Sequence, residues 1–198
     1  DRASAYIIKQ ISSYGLKPGE GKSYVHQFPV SFSQKPTAKC KVLLRGSNQT
    51  AKPLKIDIDY RPLVNAGSAI ADAPVVYAGY GLDREDWNDF ADLDVKGKIV
   101  LMLRGVPEGQ PPMATGSKAR TAVELGAVGV IFAGPSAQGK PELPTYVRAQ
   151  GMPPDLEVPG IGISVKAFES FTGLDYWQCR EATKPEHKAL GITARLEV

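Results

Sequence analysis

Imidazole is scarce in this chain: among 198 residues only His26 and His187 occur. A metal centre built on several histidines, or a self-contained zinc hydrolase, is hard to assemble from that supply. His26 falls in an alternating apolar segment and His187 in the charged run Lys184-Pro185-Glu186-His187-Lys188, and neither has an evident catalytic partner nearby. No Gly-x-Ser-x-Gly turn is present, so both histidines read as surface or edge residues. Asp83, Glu85, Asp86, Asp89, Asp92 and Asp94 would offer oxygen ligands to calcium. They lack the alternating ligands, glycine and distal glutamate of a calcium loop, and read instead as a solvated loop that Trp87 and Phe90 pin to the core. Gly134-Pro135-Ser136-Ala137-Gln138-Gly139-Lys140 has the glycine and lysine spacing of a phosphate-binding loop. Pro141 follows where that loop needs a Ser or Thr for magnesium, and the helix signal after it is poor, so the segment reads as an exposed turn. Cys40 and Cys179 match no zinc or redox spacing, and a disulfide and two separate thiols both remain open. Asn48-Gln49-Thr50 is a glycosylation acceptor that matters only in a eukaryotic secretory pathway. No catalytic, cofactor-binding or metal-binding residue is expected within the chain.

The elements that would position these residues follow from composition and periodicity. Lys+Arg number 24 against 21 Asp+Glu, a net charge of +3 too small and too evenly spread for a nucleic-acid footprint. No apolar run approaches the roughly 18–20 residues that cross a bilayer, so neither nucleic acid nor membrane is an expected partner. Asp1-Arg2-Ala3-Ser4 does not open a signal peptide. Glycine (20) and proline (16) point to turns and short strands. Helical spacing runs from Ser4 to Tyr14, with Gly15 as a cap and Pro18 beyond it. Tyr24 to Phe32 reads as a strand, and Lys39–Arg45 with Leu54–Tyr60 as a hairpin. Strands are predicted at Pro74–Tyr80, Lys98–Arg104, Val128–Ala133, Ile161–Ser164 and Gly191–Val198. Ser117 is predicted to cap a helix ending at Leu125, giving one strand–helix–strand crossover, and a short helix begins at Val165. The fold class is α+β: a β-rich open barrel or sandwich of short strands with flanking short helices.

The central segment carries a family resemblance. Val75-Val76-Tyr77-Ala78-Gly79-Tyr80-Gly81, the acidic loop, Leu93-Asp94-Val95-Lys96-Gly97-Lys98-Ile99-Val100-Leu101 and Arg104-Gly105 closely resemble the protease-associated domain. Lys118 opening a helix, Leu125-Gly126-Ala127-Val128-Gly129-Val130-Ile131 and Pro159-Gly160-Ile161-Gly162-Ile163-Ser164 are similar to its later pieces, in family order, over about 70–175. Ala5-Tyr6-Ile7-Ile8 through Gly15-Leu16-Lys17-Pro18, then Tyr24 to Val30, resembles the start of bacterial zinc-dependent aminopeptidases that carry such a domain as an insertion.

The resemblance implies a non-catalytic accessory domain of a secreted or periplasmic zinc aminopeptidase, shaping substrate access or protein–protein contacts. Residues 1–38 would be a peptidase flank, 39–188 the protease-associated domain and 189–198 a return strand toward a peptidase domain outside this sequence. Zinc is expected in that peptidase domain and no cofactor in this chain. The expected partners are the peptidase domain of the same polypeptide and a peptide or protein substrate. Contacts are expected from the loops Asp83–Asp94, Arg104–Ser117 and Pro141–Pro159, with Trp87, Arg104 and Lys118 as candidate peptide or partner contacts. The alternatives are a stand-alone peptide-binding or receptor-type module, and a chain that is itself a hydrolase.

Overall fold

A computed structural model describes residues 2–19, 22–25, 40–45, 52–136, 139–144 and 156–198. The chain divides into two compact units, Asp1–Ser31 and Phe32–Val198. In the first, the predicted helix forms as α1 (Arg2–Ser13) and stops at Gly15, whose φ is 73°. None of its residues is buried, and the Tyr24 hydroxyl donates to the Leu16 carbonyl just after it. Most of the Tyr24–Phe32 strand prediction, His26 included, lies outside the described residues.

The second unit begins with β1 (Lys41–Arg45), β2 (Lys52–Pro53), β3 (Tyr60–Pro62), β4 (Ile70–Tyr77) and β5 (Ile99–Leu103). It continues through α2 (Thr115–Glu124), β6 (Gly129–Ala133), β7 (Gly160–Ile163), α3 (Val165–Thr172), α4 (Tyr176–Arg180) and β8 (Lys188–Glu197). One sheet holds all these strands in the order β2-β1-β8-β4-β5-β6-β7-β3. Laid flat, eight strands would span about 34 Å. Yet Leu54–Asp59 alone join β2 at one edge to β3 at the other, a path of at most about 25 Å even fully extended. The sheet must therefore curl. The Tyr60 hydroxyl, from the far edge, donates to the Cys40 carbonyl beside β1 at 3.0 Å. The result is an open half-barrel, as the α+β reading expected.

The centre of the sheet explains its sequence. β4, β5, β6 and β7 run parallel, and Ile99–Leu103 and Gly129–Ala133 are buried at every position. Both faces are covered, so an apolar run replaces alternation. Leu101, Leu103, Ile131 and Ile163 pack with Phe168 and Tyr176 on one side. Val100, Met102, Val130 and Phe132 pack with Ala119 and Ala122 of α2 on the other.

Four expectations are corrected. The expected strand–helix–strand crossover forms as β5–α2–β6 but is not the one parallel connection. β4–β5 and β6–β7 are parallel too, and β4 reaches β5 without a helix, through a loop that is itself buried at Trp87 and Phe90. The strand expected over Leu54–Tyr60 does not form before Tyr60, which opens β3: Asp59 accepts from the Lys55 N–H at 2.9 Å and Asp57 sits at φ 64°, a local turn that competes with the ladder. Ser117 does not cap α2, which starts two residues earlier after Ala114 with no side-chain cap. The last strand is longer than the predicted Gly191–Val198, running over Lys188–Glu197 inside the sheet between β1 and β4. Among the described residues no helix is long and apolar enough to cross a membrane.

Candidate functional site

The carboxyl ends of β4, β5 and β6 open into the segments expected to make contacts, the position where open parallel sheets commonly bind. After β4 the chain turns at once: the Gly81 N–H donates to the Ala78 carbonyl at 2.7 Å. Gly79 adopts φ 43°, and a Cβ there would stand 2.5 Å from Asp89 Oδ1 and 2.8 Å from the Glu186 carbonyl. Only glycine lets the backbone approach so closely.

Asp89 is the reason for that approach. It is 1% exposed. Its Oδ2 accepts from the Tyr80 and Leu82 N–H groups at 3.1 and 3.0 Å, and its Oδ1 from Trp87 Nε1 and the Glu186 N–H at 3.1 and 3.2 Å. Burial pushes its carboxyl up, and these four donors oppose the shift. One carboxyl thus ties the 83–94 loop to the end of β4 and to the approach to β8. Its acidic neighbours Asp83, Glu85, Asp86, Asp92 and Asp94 are exposed, as a solvated loop requires.

The candidate contact residues lie around this knot. Trp87 is buried and its indole N–H is committed to Asp89. Arg104 is half-buried and its guanidinium donates to the carbonyls of Pro141 and Glu142, both at 3.1 Å, and of Gly134 at 3.4 Å. Gly134 has φ 63°, and the Tyr176 ring fills the space where its side chain would be. Lys118 has no exposed surface. Its Nζ donates to the carbonyls of Leu103 (3.3 Å) and Gly105, and lies 5.6 Å from the centre of the Tyr80 ring. Burial first, with Arg180 and Arg84 adding to it against Asp89, pushes this amine down to about 7.

Arg180 of α4, which sequence reasoning missed along with the helix, completes the arrangement. It donates to the carbonyls of Arg104 (2.9 Å) and Pro135 (3.0 Å) and lies 5.7 Å from the Tyr80 ring centre. The Tyr80 hydroxyl in turn donates to the Arg180 carbonyl at 2.6 Å. Trp87, Arg104 and Lys118 are therefore brought together, with side chains aimed at backbone and at Asp89. Above them the loops are cross-tied. Arg84 donates to Gln110 Oε1 and the Pro111 carbonyl, each at 2.9 Å, and Gln110 Nε2 donates to Asp86 Oδ2 at 3.0 Å.

The other sequence candidates scatter. His187 is exposed and, with Tyr77, Leu174 and Cys179, lines a separate cleft of about 400 Å³. The Tyr77 hydroxyl there is buried without a hydrogen-bond partner among the described residues. The neighbouring Cys179 thiol interacts with it, and burial pushes both groups up. Cys40 and Cys179 are free thiols. Around Gly134–Lys140 the described residues make turns, and residues 139–144 form no helix. Asn48-Gln49-Thr50 and residues 145–155 of the third loop lie outside the described residues. Among the described residues no group of three or more His, Cys, Asp or Glu side chains converges on a metal-sized site.

Comparison with known proteins now adds to this geometry. No curated protein matches the chain. Among solved structures it is similar to an aminopeptidase from Aneurinibacillus sp. strain AM-1, at 20% identity and TM-score 0.52, over 100% of this chain and 38% of that one. It is also similar to a zinc aminopeptidase from Bacillus subtilis, at 22% identity and TM-score 0.46, over 84% of this chain and 32% of that one. The chain thus spans about a third of the length of these structures. The PA domain family model matches residues 70–171, more than half of the sequence, with Tyr176, Arg180 and Glu186 of the arrangement lying beyond it. This chain belongs to the PA (protease-associated) domain family.

Proposed function

We propose that the chain is the non-catalytic PA region of an exported zinc aminopeptidase, and that its loops control how peptide or protein substrates reach a peptidase domain on the same polypeptide. The observation that carries this reading is the extent of the fold similarity. It runs over the whole chain, including α1 and β8, which lie outside the matched PA segment. In this reading zinc and the hydrolytic chemistry belong to the peptidase domain. Trp87, Arg104 and Lys118 act from beneath: they hold the 83–94 and 104–117 loops as one surface that a substrate or neighbouring domain meets. A rigid scaffold presenting loops is the usual way for a domain without its own chemistry to set specificity.

The test uses the parent protein and the isolated chain side by side. Cutting the cross-tie with Arg84→Ala plus Gln110→Ala should leave kcat/KM on a small aminoacyl chromogenic substrate within about twofold, since uniform access is unchanged. Cleavage of longer peptides should change several-fold. The isolated chain, supplied with zinc, should turn over neither. Metal-dependent turnover by the isolated chain would overturn the reading. So would a parent gene with no zinc-ligand motifs on either side of this region, which would favour a receptor-type module instead.

A further inference from the structure

The Lys118 site is built for an amine rather than an ammonium. An ammonium carries three N–H donors and needs a counter-charge when desolvated. A neutral amine carries two, and Lys118 Nζ meets two carbonyls, those of Leu103 and Gly105. Among the described residues no carboxylate forms an ion pair with it. Asp89, the carboxyl facing it from the 83–94 loop, already receives four other N–H groups. Arg84 from that loop and Arg180 from α4 face it with like charge. Asp89 and the Tyr80 ring favour the charged form, and burial with the two guanidiniums outweighs them.

The position of this amine gives it leverage. It sits on the first turn of α2 and grips the carbonyls at which β5 passes into the 104–117 loop. Lys118 takes up a proton far more readily once it reaches water, and reaching water requires the Gly105 carbonyl to part from α2. We propose that Lys118 is a proton-operated latch on the 104–117 loop, held closed in alkaline solution by the neutral amine and released progressively as pH falls to neutrality. The functional consequence, weaker engagement of substrate or partner as pH falls, rests on the reading of that loop as a contact surface.

The direction follows from linkage. The open form binds a proton at the ordinary lysine value of 10.5 and the closed form only near 7, so opening grows as pH falls between these limits and levels off below them. Hydrogen exchange of residues 106–117, corrected for intrinsic exchange rates, reads the opening directly. From pH 9 to pH 7 the opening constant should rise by some tens of fold in the wild type. Lys118→Met should abolish that rise while leaving every other charged side chain in place, so that their contributions cancel in the comparison. A wild type without pH dependence, or a Met variant with the same dependence, would overturn the latch. Should the Met variant not fold, NMR titration of the Lys118 side chain in the wild type decides: a midpoint near 7 supports the proposal and one near 10.5 sinks it. None of these readouts involves peptidase activity. A loop that titrates as stated but never influences cleavage would remove the functional reading and leave the latch standing.

Discussion

At the scale of single residues, Asp89 does the most to hold the site together. It belongs to a run of acidic residues whose other members are exposed, and nothing in its spacing marks it as different. Its role comes from Trp87 and Phe90, which drag the loop into the core and leave Asp89 facing backbone N–H groups that no strand partner can satisfy. Asp89→Ala would orphan three buried donors and one half-buried one and should cost about 4 kcal/mol in urea unfolding. Asp89→Asn keeps the volume but turns one acceptor oxygen into a donor aimed at N–H groups, and should cost about 3 kcal/mol. A stable Asn variant would show that shape rather than acceptor count matters there. Lys118 was legible as the residue opening a helix, but its burial was not. A lysine stem is long enough either to reach solvent or to fold inward, and only the carbonyls at the end of β5 select between the two.

Elements were more legible than residues wherever one pattern dominated. The unbroken apolar runs of β5 and β6 and the helical spacing of α1 each arise from one physical cause and are found as read. Leu54–Tyr60 misled because its apolar alternation competes with aspartates that close a turn through the backbone. The short α4 was missed since five residues give no periodicity to detect. Helix starts show the same contrast. Ser164, at the N-cap of α3, accepts from the Ala167 N–H at 3.2 Å. Ser117 is exposed and lies within α2. Ser164→Ala should therefore cost about 1 kcal/mol, whereas Ser117→Ala should stay within about 0.5 kcal/mol of wild type. Equal losses on thermal or urea unfolding would mean that α2 starts at Ser117 after all.

At the scale of the whole molecule, the two units differ in how they are stabilised. The curled sheet buries apolar side chains on both faces of β5 and β6, whereas α1 buries none of its residues. Tyr6 is 65% exposed, and Ile7, Tyr14 and Leu16 are exposed with it. A helix of twelve residues is marginal in water without tertiary packing, because nucleation costs more than so few hydrogen bonds return. The sequence shows α1 clearly as a pattern, since amphipathic spacing is local. It cannot show how firmly the helix is held, since that depends on what its apolar side packs against. Hydrogen exchange of the isolated chain should separate the two. Amides of α1 should exchange within about tenfold of the unprotected rate, as expected for a marginal helix. Those of β5 and β6 should open only with global unfolding, at protections that follow the stability measured in urea. If α1 proved as protected as β5, its exposed apolar side chains would have to be covered in solution, by another part of this chain or by a second copy. Concentration dependence of the protection would then tell these apart.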